Sequence, residues 1–267
     1  MFYHRVVTCH LIGHDLALPL DLETQHPGEG EVVAAKRLLE RVFNQYGRFF
    51  DAVAGDGLYL EAPFLNFCIE HGKHVVAVIK DEGRVLFQDA QGLFASLPPV
   101  TWQEGNTTVD AWDEEGFNTM EGVEKPIRVL HTQEQTIKRE RIKGRWETKV
   151  EHHTWWWATT IPKSLLPSRR LWAAGHKRWD IENGAFNQLS ANWALDHCFK
   201  HHPKAIVNFV LILFITFVLV QCFHHRNLKP QLRRLLTLIG LVSQIHQSLG
   251  KQGLKPPWHE PESKRPP

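Results

Sequence analysis

The chain reads as an α/β protein carrying a β-rich insertion, and three observations predict this. Two short apolar runs, FFDAVAGDG (49–57) and HVVAVIK (74–80), have the composition of strands buried on both faces. The segment between them has helical spacing, which gives a strand–helix–strand unit. Residues 81–150 then turn polar and charge-rich, with short β-like pieces that suit an antiparallel region.

The elements follow in order. Residues 2–12 alternate, with Tyr3, Arg5 and Val7 on one face and His4, Val6 and Thr8 on the other. Residues 15–23 follow Gly13 and can pair back as a hairpin strand. A loop, HPGEGE, leads to a helix from about Glu31 to Tyr46, where Val32, Ala35, Leu38, Leu39 and Val42 recur at helical spacing and Gly47 ends it. Asp56-Gly57 closes the first buried strand. A helix from about Leu60 to His71 stops at Gly72. Within 81–150 the β-like pieces are RVLFQD, VTWQE, TTVDAWD, IRVLHTQEQTIK and RWETKVEHH. TWWWATTI (154–161) reads as a return to the main sheet, its tryptophans alternating into the core. After Pro162 and Pro167, a helix is expected at about His176 to His197, an apolar helix begins at Pro203, and an amphipathic helix runs from about Pro230 to Leu249. The tail, 251–267, is rich in proline and charge and is expected to be disordered. The domain reading is therefore 1–80 and 151–250 as two parts of one core, 81–150 as the insertion, and the tail.

Composition narrows the classes. Apolar residues make 43% of 267 and charged residues 22%, enough for a sizeable core. The net charge of +2 excludes a polycation but not a local basic face for nucleic acid. The four cysteines, Cys9, Cys68, Cys198 and Cys222, are scattered, as reduced intracellular thiols are. The start, MFYHRVVTCHLIG, lacks the features of a signal peptide. Residues 205–223 are almost wholly apolar, so on composition they are either a helix buried in a large core or a bilayer span. Cys198, His201 and His202 lie at one end of this helix and Cys222, His224 and His225 at the other, about 30 Å away, too far for one zinc site.

Two carboxylates stand out. Asp56 ends a buried strand, where ligands gather in such sheets, yet Asp-Gly is also a common turn pair. Glu182, Phe186, Leu189 and Trp193 fall at i, i+4, i+7 and i+11, which puts Glu182 on an apolar stripe in need of a cation. That cation could be Arg178, four residues earlier, or a metal ion.

The run HKRWDIENGAFNQL around Glu182 resembles the glutamate signature of DDE transposases of the insertion-sequence-four type. GDGLYLEAPFL resembles that family's second-aspartate segment, and the element order over residues 2–225 is similar. The resemblance implies a ribonuclease-H-like mixed sheet with flanking helices and an antiparallel β insertion. It implies Asp56 and Glu182 as metal ligands for Mg²⁺ or Mn²⁺, with Arg178 as the signature arginine and part of the catalytic set. It implies double-stranded DNA, both transposon ends and target, as partner, a homodimer, no membrane, and a place in the bacterial cytosol at the nucleoid. The apolar helix then packs behind the sheet.

Some positions depart from the pattern. The signature tyrosine falls at Gly175 and the signature lysine at Leu189. The first aspartate belongs to a strand before Tyr3–Leu11, and Asp15 and Asp21 lie on the following strand. The resemblance thus implies an N-terminally truncated transposase, with an inactive DNA-binding remnant and a membrane-anchored protein as the other readings. Lys163, Arg169, Arg170, Lys177 and Arg178, and Lys138, Arg139, Arg141, Lys143, Arg145 and Lys149, are basic clusters suited to phosphates.

Overall fold

The computed structural model describes residues 5–13, 16–142, 145–195, 197 and 201–251. Tyr3, His4, Asp15, Lys143, Cys198 and nearly all of the tail lie outside the described residues. The chain forms two compact units, Met1–Gly13 with Leu20–Gly184, and His14–Pro19 with Ala185–Pro267.

The first unit is a mixed α/β structure. Strands β1 (Val6–Leu11) and β2 (Leu18–Thr24) form a two-stranded sheet of their own. A six-stranded sheet has the order β3-β4-β8-β7-β6-β5, built from β3 (Ala52–Gly55), β4 (His74–Val78), β5 (Val100–Glu104), β6 (Thr107–Phe117), β7 (Ile127–Ile142) and β8 (Arg145–Thr159). β3 and β4 pair in parallel and every other pair is antiparallel. This six-stranded mixed sheet with flanking helices is compatible with a ribonuclease-H-like fold.

Side-chain alternation explains why the central strands carry apolar residues to both faces of the sheet. Val75 and Ala77 of β4, Val129 of β7 and Ala158 of β8 face one layer, together with Leu39 of α1 (Glu31–Tyr46), Phe64 and Leu65 of α2 (Ala62–Glu70) and Leu86 and Phe87 of α3 (Val85–Phe94). Val76, Val78, Leu130 and Trp157 face the other, against Leu171 of α4 (Ser168–Lys177). With helices on both faces, the polar side chains these strands do bury, such as Arg128, need partners. The three tryptophans divide as expected: Trp156 packs with the first layer, Trp155 and Trp157 with the second. Gly72 follows α2 at φ +68°, the left-handed stop its position predicts.

Arg41 of α1 reaches Asp21 (2.9 Å) and Glu23 (2.6 Å) of β2, which ties the helix to the small sheet. Arg128 is fully buried in a paired guanidinium–carboxylate contact with Asp113 (2.8 and 2.6 Å). It also donates to the carbonyl of Leu166 (2.7 Å), so it pins the loop that leads into α4.

Several expectations are corrected. RVLFQD is helical, not β-like: Leu86, Phe87, Ala90 and Phe94 bury one helical face as α3. The helix expected at 176–197 begins earlier, at Ser168 after Pro167. It is then broken by a π-helical turn, Ile181–Phe186, before the short α5 (Asn187–Trp193). TWWWATT continues a strand that starts at Arg145, so residue 150 lies inside β8.

In the second unit, α6 (Pro203–Arg226) buries one stripe, Val210, Leu213, Phe214, Phe217 and Gln221. It leaves Ile212, Ile215 and Leu219 exposed, so it is not the fully buried helix expected. By length and composition it could cross a membrane. Gln221 exchanges two hydrogen bonds with the backbone of Ala17 (3.1 and 2.9 Å). The last helix is two, α7 (Pro230–Leu235) and α8 (Leu238–Lys251), separated where Leu236 turns extended.

Candidate active site

Asp56 sits where β3 ends. Its Oδ1 accepts the Leu58 N–H (2.9 Å) and caps the 3₁₀ turn Gly57–Tyr59, so the turn-forming role of the Asp-Gly pair is realised. Its Oδ2 accepts from the Lys80 ammonium (3.2 Å), just beyond the parallel neighbour β4. Two glycines permit this crowding. A Cβ on Gly57 would lie 3.1 Å from the Val78 carbonyl, and one on Gly55 would lie 2.8 Å from the Tyr59 ring. Tyr59 folds back over the strand and donates its hydroxyl to Glu31 (2.6 Å). Burial first, and then Glu31, push its phenol well above the usual range. Asp56 keeps 36% of its side chain exposed, so the carboxylate is partly open to solvent.

Glu182 lies in the π-helical turn, with its side chain 49% exposed. Here the expectation of a buried carboxylate is corrected. The π turn adds a residue to the helical circuit, which breaks the i, i+4, i+7 stripe on which that expectation rested. Leu189 of that stripe is buried as expected, but Ala185 takes the buried position before it in place of Glu182. Arg178 is the buried member: it lies 4.4 Å over the Trp179 ring, and its Nη1 donates to Glu182 at 3.3 Å. The Arg178–Glu182 pair foreseen from spacing is therefore present.

A buried carboxylate that sequence reasoning missed lies close by in the fold. Glu134 of β7 accepts three hydrogen bonds on one oxygen, from Thr132 (2.9 Å), the Trp172 indole (2.7 Å) and His176 Nε2 (2.9 Å). Burial pushes this carboxyl up, but His176, Trp172 and Thr132 outweigh it, and the net direction is down. Trp172 and His176 both belong to α4, so Glu134 moors the helix that leads into Arg178 and Glu182. The only signal in the sequence was a glutamate at an inward-facing register of an alternating strand. Lys80 was also missed, although two parallel strands ending at the same sheet edge point to it.

The two departures from the signature have a packing reason. Gly175 is buried against Trp157, and a Cβ there would lie 2.5 Å from the indole nitrogen, so a tyrosine has no room. Leu189 is fully buried, where a lysine would lose its hydration. Of the basic clusters, Lys163 and Arg169 are engaged by Glu114 (3.2 Å) and Glu104 (2.9 Å), whereas Arg170 and Lys177 are exposed.

Carboxylate oxygens suit a hard divalent cation, and both Asp56 and Glu182 are accessible to one. Each holds its own cationic side chain, however. Among the described residues, no group of three or more His, Cys, Asp or Glu gathers to hold a metal. The donor chemistry fits, and the set is incomplete. The histidine–cysteine groups beside α6 likewise form no such cluster among the described residues.

No curated relative matches the chain. The family model described as the transposase DDE domain matches residues 2–219, which span the strand bearing Asp56, the mooring residue Glu134 and the turn bearing Glu182. The chain belongs to the transposase DDE domain family.

Proposed function

We propose that this chain is the catalytic core of a DNA transposase of the insertion-sequence-four type, with Asp56 and Glu182 as two of its metal ligands. The observation that carries this is one arrangement inside the matched region. A solvent-reachable aspartate ends a strand of a parallel pair, and a solvent-reachable glutamate follows a helix moored to the same sheet. Residues 81–150 are then the β-rich insertion between them.

The reaction has two balanced steps. Water attacks the phosphorus at the transposon end, the bond to the 3′ oxygen breaks, and that oxygen leaves as a hydroxyl. The freed 3′-hydroxyl then attacks a target phosphodiester, joins to its phosphorus and displaces the target's own 3′ oxygen. Bound Mg²⁺ or Mn²⁺ supplies charge stabilisation to the attacking and leaving oxygens. Asp56 and Glu182 present the carboxylates, Lys80 and Arg178 neutralise them until they are used, and Glu134 holds the Glu182 segment in place.

A third carboxylate is needed, and the fold suggests its place. Among the described residues β1–β2 stands as its own sheet and β3 pairs on one side only, while Val7, Cys9 and Val53 pack on the same core cluster. A strand between β1 and β3 would join the two sheets and carry an acid beside Asp56. In this reading that strand is encoded upstream of β1 and the chain is an N-terminally truncated form.

The test is nicking of supercoiled plasmid DNA, by this chain and by one extended upstream. We expect Mg²⁺- or Mn²⁺-dependent nicking by the extended chain, and at least 100-fold less with Asp56→Ala or Glu182→Ala. Nicking that survives both substitutions, or that persists in chelator, would overturn the assignment. Duplex binding without nicking by either chain would identify a DNA-binding remnant.

A further inference from the structure

Asp56 and Glu182 are each met by a cation, and the two cations are held in unlike ways. Arg178 is buried, with 10% of its side chain exposed. Its guanidinium lies 4.4 Å over the Trp179 ring, its Nη1 reaches Glu182 at 3.3 Å, and its buried Nε has no acceptor among the described residues. Drawing Glu182 away would strand a buried charge, which is costly. Lys80 is the opposite case. Its side chain is 58% exposed, and its ammonium donates to Asp56 Oδ2 at 3.2 Å. An exposed pair of this kind is held weakly and parts at little cost.

The backbone aims Lys80 at this position. β3 and β4 run in parallel, with Gly55 opposite Ala77, so Asp56 and Lys80 leave the sheet at the same end. The Ile79 N–H donates to the Trp156 carbonyl (2.9 Å), which fixes the root of the lysine. Its stem then crosses Gly57: a Cβ there would lie 3.3 Å from Lys80 Cγ and 3.4 Å from Lys80 Cβ. The glycine thus opens the path by which the ammonium reaches the carboxylate, while the ammonium itself stays in solvent and is free to turn away.

We infer that Lys80 is the displaceable counter-ion of Asp56, which competes with a divalent cation for that carboxylate and, once displaced, turns its ammonium to a phosphate of the bound strand. The inference rests on the transposase reading, both for Asp56 as a metal ligand and for the phosphate. A divalent ion at Oδ2 would meet the ammonium at contact distance, where like charges repel. Lys80 therefore has to leave, and Asp56 is released more readily than Glu182. The coupling is reciprocal: a phosphate that draws Lys80 away frees Asp56, so duplex and metal each favour the binding of the other.

The test is the affinity of the full chain for Mn²⁺, read by electron paramagnetic resonance, first without DNA and then with a 30-base-pair duplex. Lys80→Met keeps the stem and removes the charge. Without DNA we expect it to bind Mn²⁺ about threefold to tenfold tighter than the native chain, and Lys80→Arg to stay near native. The gain should vanish in an Asp56→Asn background and shrink as salt rises. The duplex should tighten Mn²⁺ about tenfold in the native chain, and no more than about threefold in Lys80→Met. Thermal melts check folding. Mn²⁺ binding that Lys80→Met leaves unchanged or weakens would overturn the inference, as would a gain that survives Asp56→Asn or a duplex effect equal in both chains. If Mn²⁺ binds and Asp56→Asn alone does not weaken it, the metal-ligand assignment fails and the inference with it. If Asp56→Asn weakens Mn²⁺ and Lys80→Met does nothing, the inference alone fails.

Discussion

Glu134 is the residue whose environment says most about how the site is held. A buried carboxylate that accepts three hydrogen bonds on one oxygen is well satisfied while its donors stay in place, and costly once they are lost. Glu134→Ala would leave the Trp172 and His176 donors facing a void. We expect it to cost about 3–5 kcal/mol in urea unfolding, the range for breaking a buried pair. Glu134→Gln keeps an acceptor and should cost less. The folded carboxyl titrates below its ordinary range, so its contribution is complete above that range and is lost as pH falls through the folded value. The gap between wild type and Glu134→Gln should therefore narrow on acidification; a gap unchanged down to pH 2 would refute this account. Asp56 and Glu182 behave differently. Both are partly exposed, and each meets one cationic side chain.

At the scale of elements, α4 and the turn after it carry the argument. α4 approaches the sheet closely because position 175 has no side chain, and the Trp157 indole fills the space. A Cβ placed 2.5 Å from a fully buried ring can be accommodated only by moving helix or ring. Gly175→Ala should thus destabilise the chain by about 1–3 kcal/mol, despite alanine's better helix propensity. Equilibrium denaturation decides the matter: a stability gain would show that propensity wins and that the contact is soft. The helix ends in a π-helical turn, and that turn brings Glu182 out of the apolar stripe. Helical periodicity located the residue but misplaced its face, because a wheel drawn at 3.6 residues per turn has no room for a π turn. RVLFQD failed for a related reason. Six β-compatible residues are too few to show that Phe94 completes a helical face.

Over the whole molecule, the histidines and carboxylates whose titration the fold shifts share one sign of response to acid. Burial lowers His10 to about 4 and also lowers His131, so the folded chain resists protonation that the unfolded chain accepts from about pH 6.5 downward. Glu29, held by Arg37 and the His26 N–H, and Glu151, held by Lys138 and Lys149, titrate at about 2, so each is protonated in the unfolded state first. In every case the unfolded state binds more protons across the window, so stability rises with pH there. We expect the urea midpoint to fall continuously from pH 6.5 to pH 2.5, with the histidines responsible above pH 4 and the carboxylates below. A flat midpoint between pH 6.5 and 4.5 would show that His10 and His131 are not buried as described. α6 belongs to the same scale: composition left a buried helix and a bilayer span both open, and Ile212, Ile215 and Leu219 are exposed.

The sequence by itself determined the order and kind of most elements, the two-faced burial of the central strands, and the positions of Asp56, Arg178 and Glu182. These are written in local periodicity and in a short signature, and neighbours along the chain suffice to express them. Only the tertiary structure decided what each of these residues meets. It set Lys80 against Asp56 across a parallel pair, buried Arg178 while exposing Glu182, and placed Glu134 under His176, 42 residues away. It also put β8 beside β4, and set Glu151 between Lys138 and Lys149. Such pairings depend on strand order and register, which arise from contacts between distant segments and leave no period in the sequence.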